Sequence, residues 1–360
     1  VPPFDWRSTP DETASMAKSM RAAGCKEPGK VFVHDVAVPE PGPGEVLLKV
    51  SRCGICGSDL HWYHGGIPIP NVCPGHEISA VVADVGSGVT TVKAGDRVAV
   101  EGIRVCGTCD YCRSSDYQRC RMNQMIGLTV PGGFAEYLVT TPRHAFAIPK
   151  MVDDETAQLT EPLAVSVHAL RLAGLEMGQR VLVLGAGTIG LTAIAAAKAG
   201  GAAEIVCTAR RPQQKAAANA LGASRVFDPT ASGELTSWCF ENPVDIVVET
   251  VGDPNSSLAD AVNCVRPGGT IAVLGVFMQQ PQLNALFLMM KEVKIVGSLC
   301  YGASGSRADF EIALDILARH GELMREQMIT HRFPLDRIDE GFKAANDKAS
   351  GSIKVSIAPA

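Results

Sequence analysis

From about residue 180 the chain alternates apolar strand, glycine turn and alanine-rich helix: residues 181–184, then 185–190, then 191–199. A strand tied by a short glycine turn to a helix is the start of a βαβ unit, and such units assemble only into a parallel sheet with helices packed on its faces. Further apolar runs at 204–208, 245–250 and 270–276, separated by helical stretches, predict a doubly wound sheet. Residues 31–149 read differently. They give short alternating runs such as 46–50 and 98–100, punctuated by turns like Pro41-Gly42-Pro43-Gly44, the texture of an irregular β domain. After Tyr301 come an amphipathic helix over 309–319 and a β-rich tail ending at 352–357, expected to return to the first domain. A chain of 360 residues exceeds what one core usually fills, so two domains of α/β class are expected.

The glycine turn, Gly185-Ala186-Gly187-Thr188-Ile189-Gly190, has the spacing Gly-X-Gly-X-X-Gly with a strand before it and a helix after it. Glycines permit the tight turn and the close approach of a pyrophosphate to the helix N-terminus, so the turn reads as a dinucleotide site. The residue that separates the two nicotinamide cofactors lies about twenty positions on, where a carboxylate normally holds the ribose 2'-hydroxyl. Here the segment is Cys207-Thr208-Ala209-Arg210-Arg211, with no carboxylate and two guanidinium groups. Arginine forms charge-assisted bonds to a 2'-phosphate, so NADP(H) is expected over NAD(H). The alternative is that both arginines are solvated surface charges. Val251, Val276 and Lys354 complete the candidate cofactor contacts.

Twelve cysteines are present, and four cluster as Cys106-X2-Cys109-X2-Cys112-X7-Cys120. Four soft ligands that close a tetrahedron make a structural zinc site with no open position. Ferredoxin-type runs share the opening spacing but continue with X3 and Cys-Pro, whereas here the gap is longer and Arg121 follows. Disulfides are the other alternative. A second set is spread out: Cys56, His76, Glu77 and Glu161. One thiolate, one imidazole and one or two carboxylates suit a catalytic zinc that keeps a position open. Each of these residues taken singly also fits a structural role.

The net charge of −5 and the lack of a basic stripe argue against a nucleic-acid partner and for small molecules. Residues 1–21 hold no apolar run of the signal-peptide kind, and the longest apolar stretch, 189–203, is short and broken by Lys198. No membrane association and a cytoplasmic location are therefore expected.

Taken together, Gly54-Ile55-Cys56-Gly57-Ser58-Asp59-Leu60-His61, Gly75-His76-Glu77, the four-cysteine lobe, Glu161-Pro162-Leu163-Ala164-Val165-Ser166-Val167-His168, the glycine turn and Thr330-His331-Arg332-Phe333-Pro334-Leu335 resemble the zinc-dependent medium-chain dehydrogenase/reductase superfamily, in its sorbitol, butanediol and threonine dehydrogenase branch. The resemblance covers nearly everything after Met20; the residues before that have no assigned role. It implies a GroES-like catalytic domain over 1–165 and 303–360, a Rossmann domain over 166–302, and a cleft between them for zinc and nicotinamide. By position, Cys56, His76, Glu77 and Glu161 match the catalytic zinc shell, Glu161 either directly or through water. Asp59 matches a buried acid that orients the shell. Ser58 matches the hydroxyl that passes the proton of the zinc-bound alcohol, with His61 as the next relay.

Two zinc ions per subunit and a homodimer or homotetramer are implied, with 270–277 and 294–299 supplying edge pairing. Cys-Thr-Ala-Arg is similar to the NADPH-dependent ketose reductases of the sorbitol branch. Polyol enzymes carry an Arg-Tyr pair for sugar hydroxyls, and the matching segment here is Gly297-Ser298-Leu299-Cys300-Tyr301, with Tyr301 in the substrate pocket and the arginine gone. The reaction expected is hydride exchange between NADP(H) and a secondary alcohol: a diol, polyol or cyclic alcohol. An NAD-dependent polyol or threonine dehydrogenase is the alternative within enzymes, and a zinc-stabilised NADPH-binding protein without turnover the alternative outside them.

Overall fold

The computed structural model describes residues 18–231, 233–252, 257–304 and 306–359. The N-terminal segment, expected to lack a signal peptide, falls mostly outside them. The chain divides into two compact units, one running to Glu161 and taking in Leu317–Arg325 and Ile329 onward, the other holding Pro162–Ile316 and Glu326–Met328.

The first unit is built on a seven-stranded sheet. Along its path Ile329–Pro334 pairs with Lys354–Ala358, then follow Val46–Gly54, Glu77–Val85, Arg97–Val100 and Ala145–Ala147, while Tyr137–Thr140 pairs with Val46–Gly54 off that path. Alternation explains the core. Val46, Leu48 and Val50 are wholly buried at every second position of one strand, and Ile78, Ala80 and Val82 repeat the pattern on its neighbour. Trp62, Phe134 and Phe342 close the cluster, with Phe342 5.2 Å from Trp62 and 5.8 Å from Phe134 between ring centroids. Each of these buried methylenes and rings adds on the order of 25 cal/mol per Å² of apolar surface withdrawn from water.

The second unit carries a six-stranded sheet in the order Arg225–Phe227, Glu204–Thr208, Arg180–Leu184, Val244–Glu249, Val265–Val273, Lys294–Gly297, every pair parallel. The order runs outward from Arg180–Leu184 in both directions. That reversal creates the switch point at which doubly wound sheets bind ligands, beyond the carboxyl ends of the two central strands. Val181, Leu182, Val183, Val247 and Val248 are unexposed, as expected of strands covered on both faces.

One element is longer than its sequence suggests. The helix expected over 309–319 runs Asp309–Met328, through Gly321. A β-carbon at Gly321 would stand 2.6 Å from the Thr156 side chain, so the glycine lets a neighbour approach rather than ending the helix. Among the described residues no helix is long and apolar enough to cross a membrane.

Candidate functional site

The strand Val46–Gly54 leads through Ile55 and Cys56 into the short helix Gly57–Tyr63, which Cys56 caps in extended conformation. Asp59, only 2% exposed, holds this corner: it accepts the Cys56 backbone N–H at 3.0 Å and the Trp62 indole N–H at 3.3 Å. Burial pushes its carboxyl above the usual range, against the pull of His76. Ser58 and His61 lie three residues apart on this helix, and so share a face.

His76 follows Gly75, whose φ of +98° only glycine adopts without strain and whose β-carbon position would meet Cys53 and Phe134 within 3 Å. Glu77 then begins the strand Glu77–Val85 directly opposite Gly54. A side chain at Gly54 would stand 2.0 Å from Glu77 Oε2, so that glycine makes room for the carboxylate. The result is that one ligand atom each from Cys56, His76 and Glu77 lies within 4.8 Å of the others. Glu161, in the first turn of Thr160–Leu172 and 8% exposed, stays outside that set. Its charge still reaches His76. Burial lowers the His76 imidazolium, but Cys56, Asp59 and Glu161 outweigh it and hold the group well above its ordinary range. A site whose field favours positive charge on its imidazole is one that suits a cation.

The four cysteines also converge. Their sulfurs lie 3.5 Å apart for Cys109 and Cys112 and for Cys106 and Cys120, and 3.8 Å apart for Cys106 and Cys112 and for Cys109 and Cys120. Sulfurs about 2.3 Å from a common tetrahedral centre stand about 3.8 Å apart, so the spacing fits four thiolates on one ion and is far too long for a disulfide. Backbone N–H groups of Cys109 and Met122 point at Cys106 Sγ and Cys120 Sγ, each at 3.4 Å. The Thr108 backbone N–H leads the bonds that hold the Cys106 thiol down to about 5, while burial pushes Cys112 up to about 12. Tyr117, between the third and fourth cysteines, anchors the lobe by donating to Glu101 Oε1 at 2.5 Å, and Glu101 Oε2 is 2.7 Å from His144 Nδ1. All three side chains are buried.

In the second unit the three glycines divide their duties. Gly185 turns the chain with φ +94°, and a β-carbon on Gly190 would stand 1.9 Å from the Gly185 carbonyl oxygen. Gly187 faces open space and caps the helix Thr188–Ala199, with Thr188 and Ile189 half-buried beside it. That is a turn, an open approach to a helix N-terminus and a tight strand-to-helix packing, in the order a pyrophosphate site needs. Thr208 Oγ1 accepts the Gly185 N–H at 2.8 Å and Thr250 Oγ1 donates to the Leu184 carbonyl at 2.7 Å, two supports that the glycine pattern does not reveal. Past Thr208, Ala209 is buried, Arg210 is exposed and Arg211 half-buried.

Residues 42–150 match the alcohol dehydrogenase GroES-like domain, and 188–322 match the zinc-binding dehydrogenase domain. Sorbitol dehydrogenase of Bacillus subtilis is 32% identical over 96% of this chain and 99% of that protein. The chain is a zinc-dependent medium-chain dehydrogenase/reductase. L-Threonine 3-dehydrogenase of Mesorhizobium japonicum is another relative of this dehydrogenase, 34% identical over 91% of the chain and 95% of its own length. Among solved structures, 2R,3R-butanediol dehydrogenase from Bacillus subtilis superposes with a TM-score of 0.83 at 30% identity, covering 95% of this chain and 100% of that one. A zinc-binding dehydrogenase from Sinorhizobium meliloti 1021, bound to NADP, gives 0.85 at 31% identity with the same coverage.

Lys354 and Tyr301, expected at the cofactor and in the substrate pocket, are both buried. Lys354, expected at the cofactor, is 1% exposed and places its ammonium 2.5 and 2.6 Å from the two Glu77 oxygens and 2.9 Å from the Ile55 carbonyl. A buried ammonium needs a counter-ion, and among the described residues the carboxylate bonded to it is that of Glu77. Tyr301, expected to line the substrate pocket, is 1% exposed with its ring edge-to-face against Phe310 at 4.8 Å, while Leu299 two residues earlier is 61% exposed. Sequence reasoning also passed over Glu249. It lies wholly buried at the end of Val244–Glu249 and accepts the backbone N–H groups of Val251 and Gly252 at 2.8 and 2.9 Å, shaping the loop that leaves Val251 46% exposed. Val276, 55% exposed, lies on the adjacent loop: its carbonyl oxygen is 2.5 Å from where a Gly252 β-carbon would be.

Proposed function

We propose that this dehydrogenase exchanges a hydride between a secondary alcohol or its ketone and NADP(H), with one zinc at Cys56, His76 and Glu77 and a second, structural zinc at Cys106, Cys109, Cys112 and Cys120. The observation that carries the reading is the convergence of one thiolate, one imidazole and one carboxylate from two distant segments within 4.8 Å, a donor set that leaves a tetrahedral zinc one position short. These residues would hold zinc, and the ion would supply polarisation of a substrate oxygen, making the alcohol more acidic. Ser58 takes up the released proton and His61 is the next carrier outward, while Glu161 adds negative charge beside the ligand set without belonging to it. Gly185, Gly187, Thr188, Ile189 and Gly190 would receive the pyrophosphate, and Val251 and Val276 would contact the cofactor.

NADP(H) rests on Arg210 and Arg211. Neither guanidinium has an ion-pair or hydrogen-bond partner among the described residues, and no carboxylate precedes them to repel a 2'-phosphate. The relatives named sorbitol and threonine dehydrogenase favour a small polar alcohol, whereas the exposed Leu299 favours a more apolar one. Initial rates over sorbitol, xylitol, 2,3-butanediol, threonine and open-chain and cyclic secondary alcohols, each with NADP and with NAD, decide both points. Higher efficiency with NAD would overturn the cofactor reading, and silence across the panel with NADPH still bound would leave a binding protein. The strand Lys294–Gly297 at the edge of its sheet and the exposed Leu286, Phe287, Met289 and Met290 beside it support a homodimer or homotetramer, and the composition fits the cytoplasm.

A further inference from the structure

Lys354 and Glu77 form a buried ion pair on a candidate ligand, whereas the ion pairs of the four-cysteine lobe, Arg113 with Asp110 and Arg119 with Asp116, are exposed and involve no cysteine. All three ammonium bonds of Lys354 are used inside the protein, two on the Glu77 carboxylate and one on the carbonyl of Ile55, the residue before Cys56. Lysine thus ties together the two chain segments that carry ligand atoms. The sheet builds the pair in. Lys354 begins the strand Lys354–Ala358, which pairs with Val46–Gly54, and Gly54 in turn sits opposite Glu77 with no side chain in the way.

A wholly buried carboxylate with no partner is costly, so without Lys354 the fold around Glu77 would depend on a cation arriving. With Lys354 in place the carboxylate is already neutralised. The same positive charge, bonded to one ligand of the set, must oppose a divalent ion that binds there. In the lobe the non-cysteine side of the sulfur hydrogen bonds is backbone N–H and the Thr108 hydroxyl, neither of which carries a charge.

We propose that Lys354 is a resident counter-ion for the Cys56, His76 and Glu77 site: it keeps that site folded without metal and weakens its hold on zinc, so that zinc is loaded and exchanged after folding. Lys354 is a positioning residue in this account and touches no substrate. The inference rests on the zinc reading of that site.

The test compares wild type with Lys354→Met and Lys354→Gln, all zinc-loaded, by counting zinc per chain and following its release to EDTA at fixed pH. The phase missing in Cys56→Ser marks the site; the remaining phase marks the lobe. Gln still offers N–H donors to Glu77 and Ile55 without the charge, so it carries the test if Met does not fold. Release from the site should slow at least tenfold in both variants while the lobe phase stays unchanged. The metal-free variants should melt below metal-free wild type, with the gap closing when zinc is added. Equal or faster release, or failure of both variants to fold even with zinc present, would overturn the proposal. Wild type holding a single, lobe-bound zinc would instead overturn the reading of the site itself.

Discussion

The four-cysteine lobe and the site of Cys56, His76 and Glu77 each gather ligand atoms within 4.8 Å, yet they are made in opposite ways. The lobe draws all its donors from a fifteen-residue loop with only a four-residue helix, Asp110–Arg113, and one 3-10 turn inside it. Such a short loop gains much of its order if an ion closes it, as proposed here. The other site takes donors from a helix cap and a strand start about twenty residues apart, and hydrophobic packing, Asp59 and Lys354 fix them before any ion enters. The lesson is that donor spacing in sequence tells whether a metal will fold its own site or be received by one.

The largest effect should follow Cys56→Ala. Turnover is expected to fall by about a thousandfold or more, since several kcal/mol of charge stabilisation at the substrate oxygen depend on that ligand. Melting should stay near wild type. A large drop in melting temperature with activity kept would reverse the roles of the two regions. Cys109→Ser is the mirror experiment: one zinc per chain lost and a melting temperature lower by roughly 5 °C or more, with kcat falling far less than for Cys56→Ala. Unchanged zinc content and melting would mean that the lobe closes without metal.

Arg210→Ala combined with Arg211→Ala leaves both metal regions alone. Each charge-assisted bond to a phosphate contributes roughly 1.5–3 kcal/mol, so KM for NADPH should rise by about ten- to a hundredfold with KM for NADH little changed. Equal loss for both cofactors would show that the arginines do not read the 2'-phosphate. The smallest effect belongs to Tyr117→Phe, which removes the hydroxyl bonded to Glu101. Loss of a bond to a charged acceptor costs about 1–3 kcal/mol, so the melting temperature should fall by a few degrees while kcat holds. A change in kcat instead would mean that the lobe communicates with the chemistry.

Local sequence was enough wherever the physics is local. The strand, glycine turn and helix around Gly185–Gly190 are written in periodicity and backbone freedom, and the lobe in the spacing of four thiols. The parallel sheet followed from the same alternation, whereas the order of its strands came only from the structure. The helix over 309–319 runs on to Met328 through Gly321, whose lack of a side chain lets Thr156 pack close, a contact that the local sequence does not show. The bond between Lys354 and Glu77 is not legible locally, because the two residues lie 277 positions apart in the chain.

What the sequence by itself determined is the family, the two kinds of unit, the candidate ligands and the absence of a carboxylate at the ribose, all properties of residue type and short-range order. Only the tertiary structure decided that Cys56, His76 and Glu77 converge within 4.8 Å, that Tyr301 is buried against Phe310, that Glu249 shapes the Val251 loop, and that Lys354 pairs with Glu77. Those outcomes depend on which buried charges and rings find partners, and in a packed interior that is settled by strand register and by close approach across glycines such as Gly54, never by neighbours along the chain.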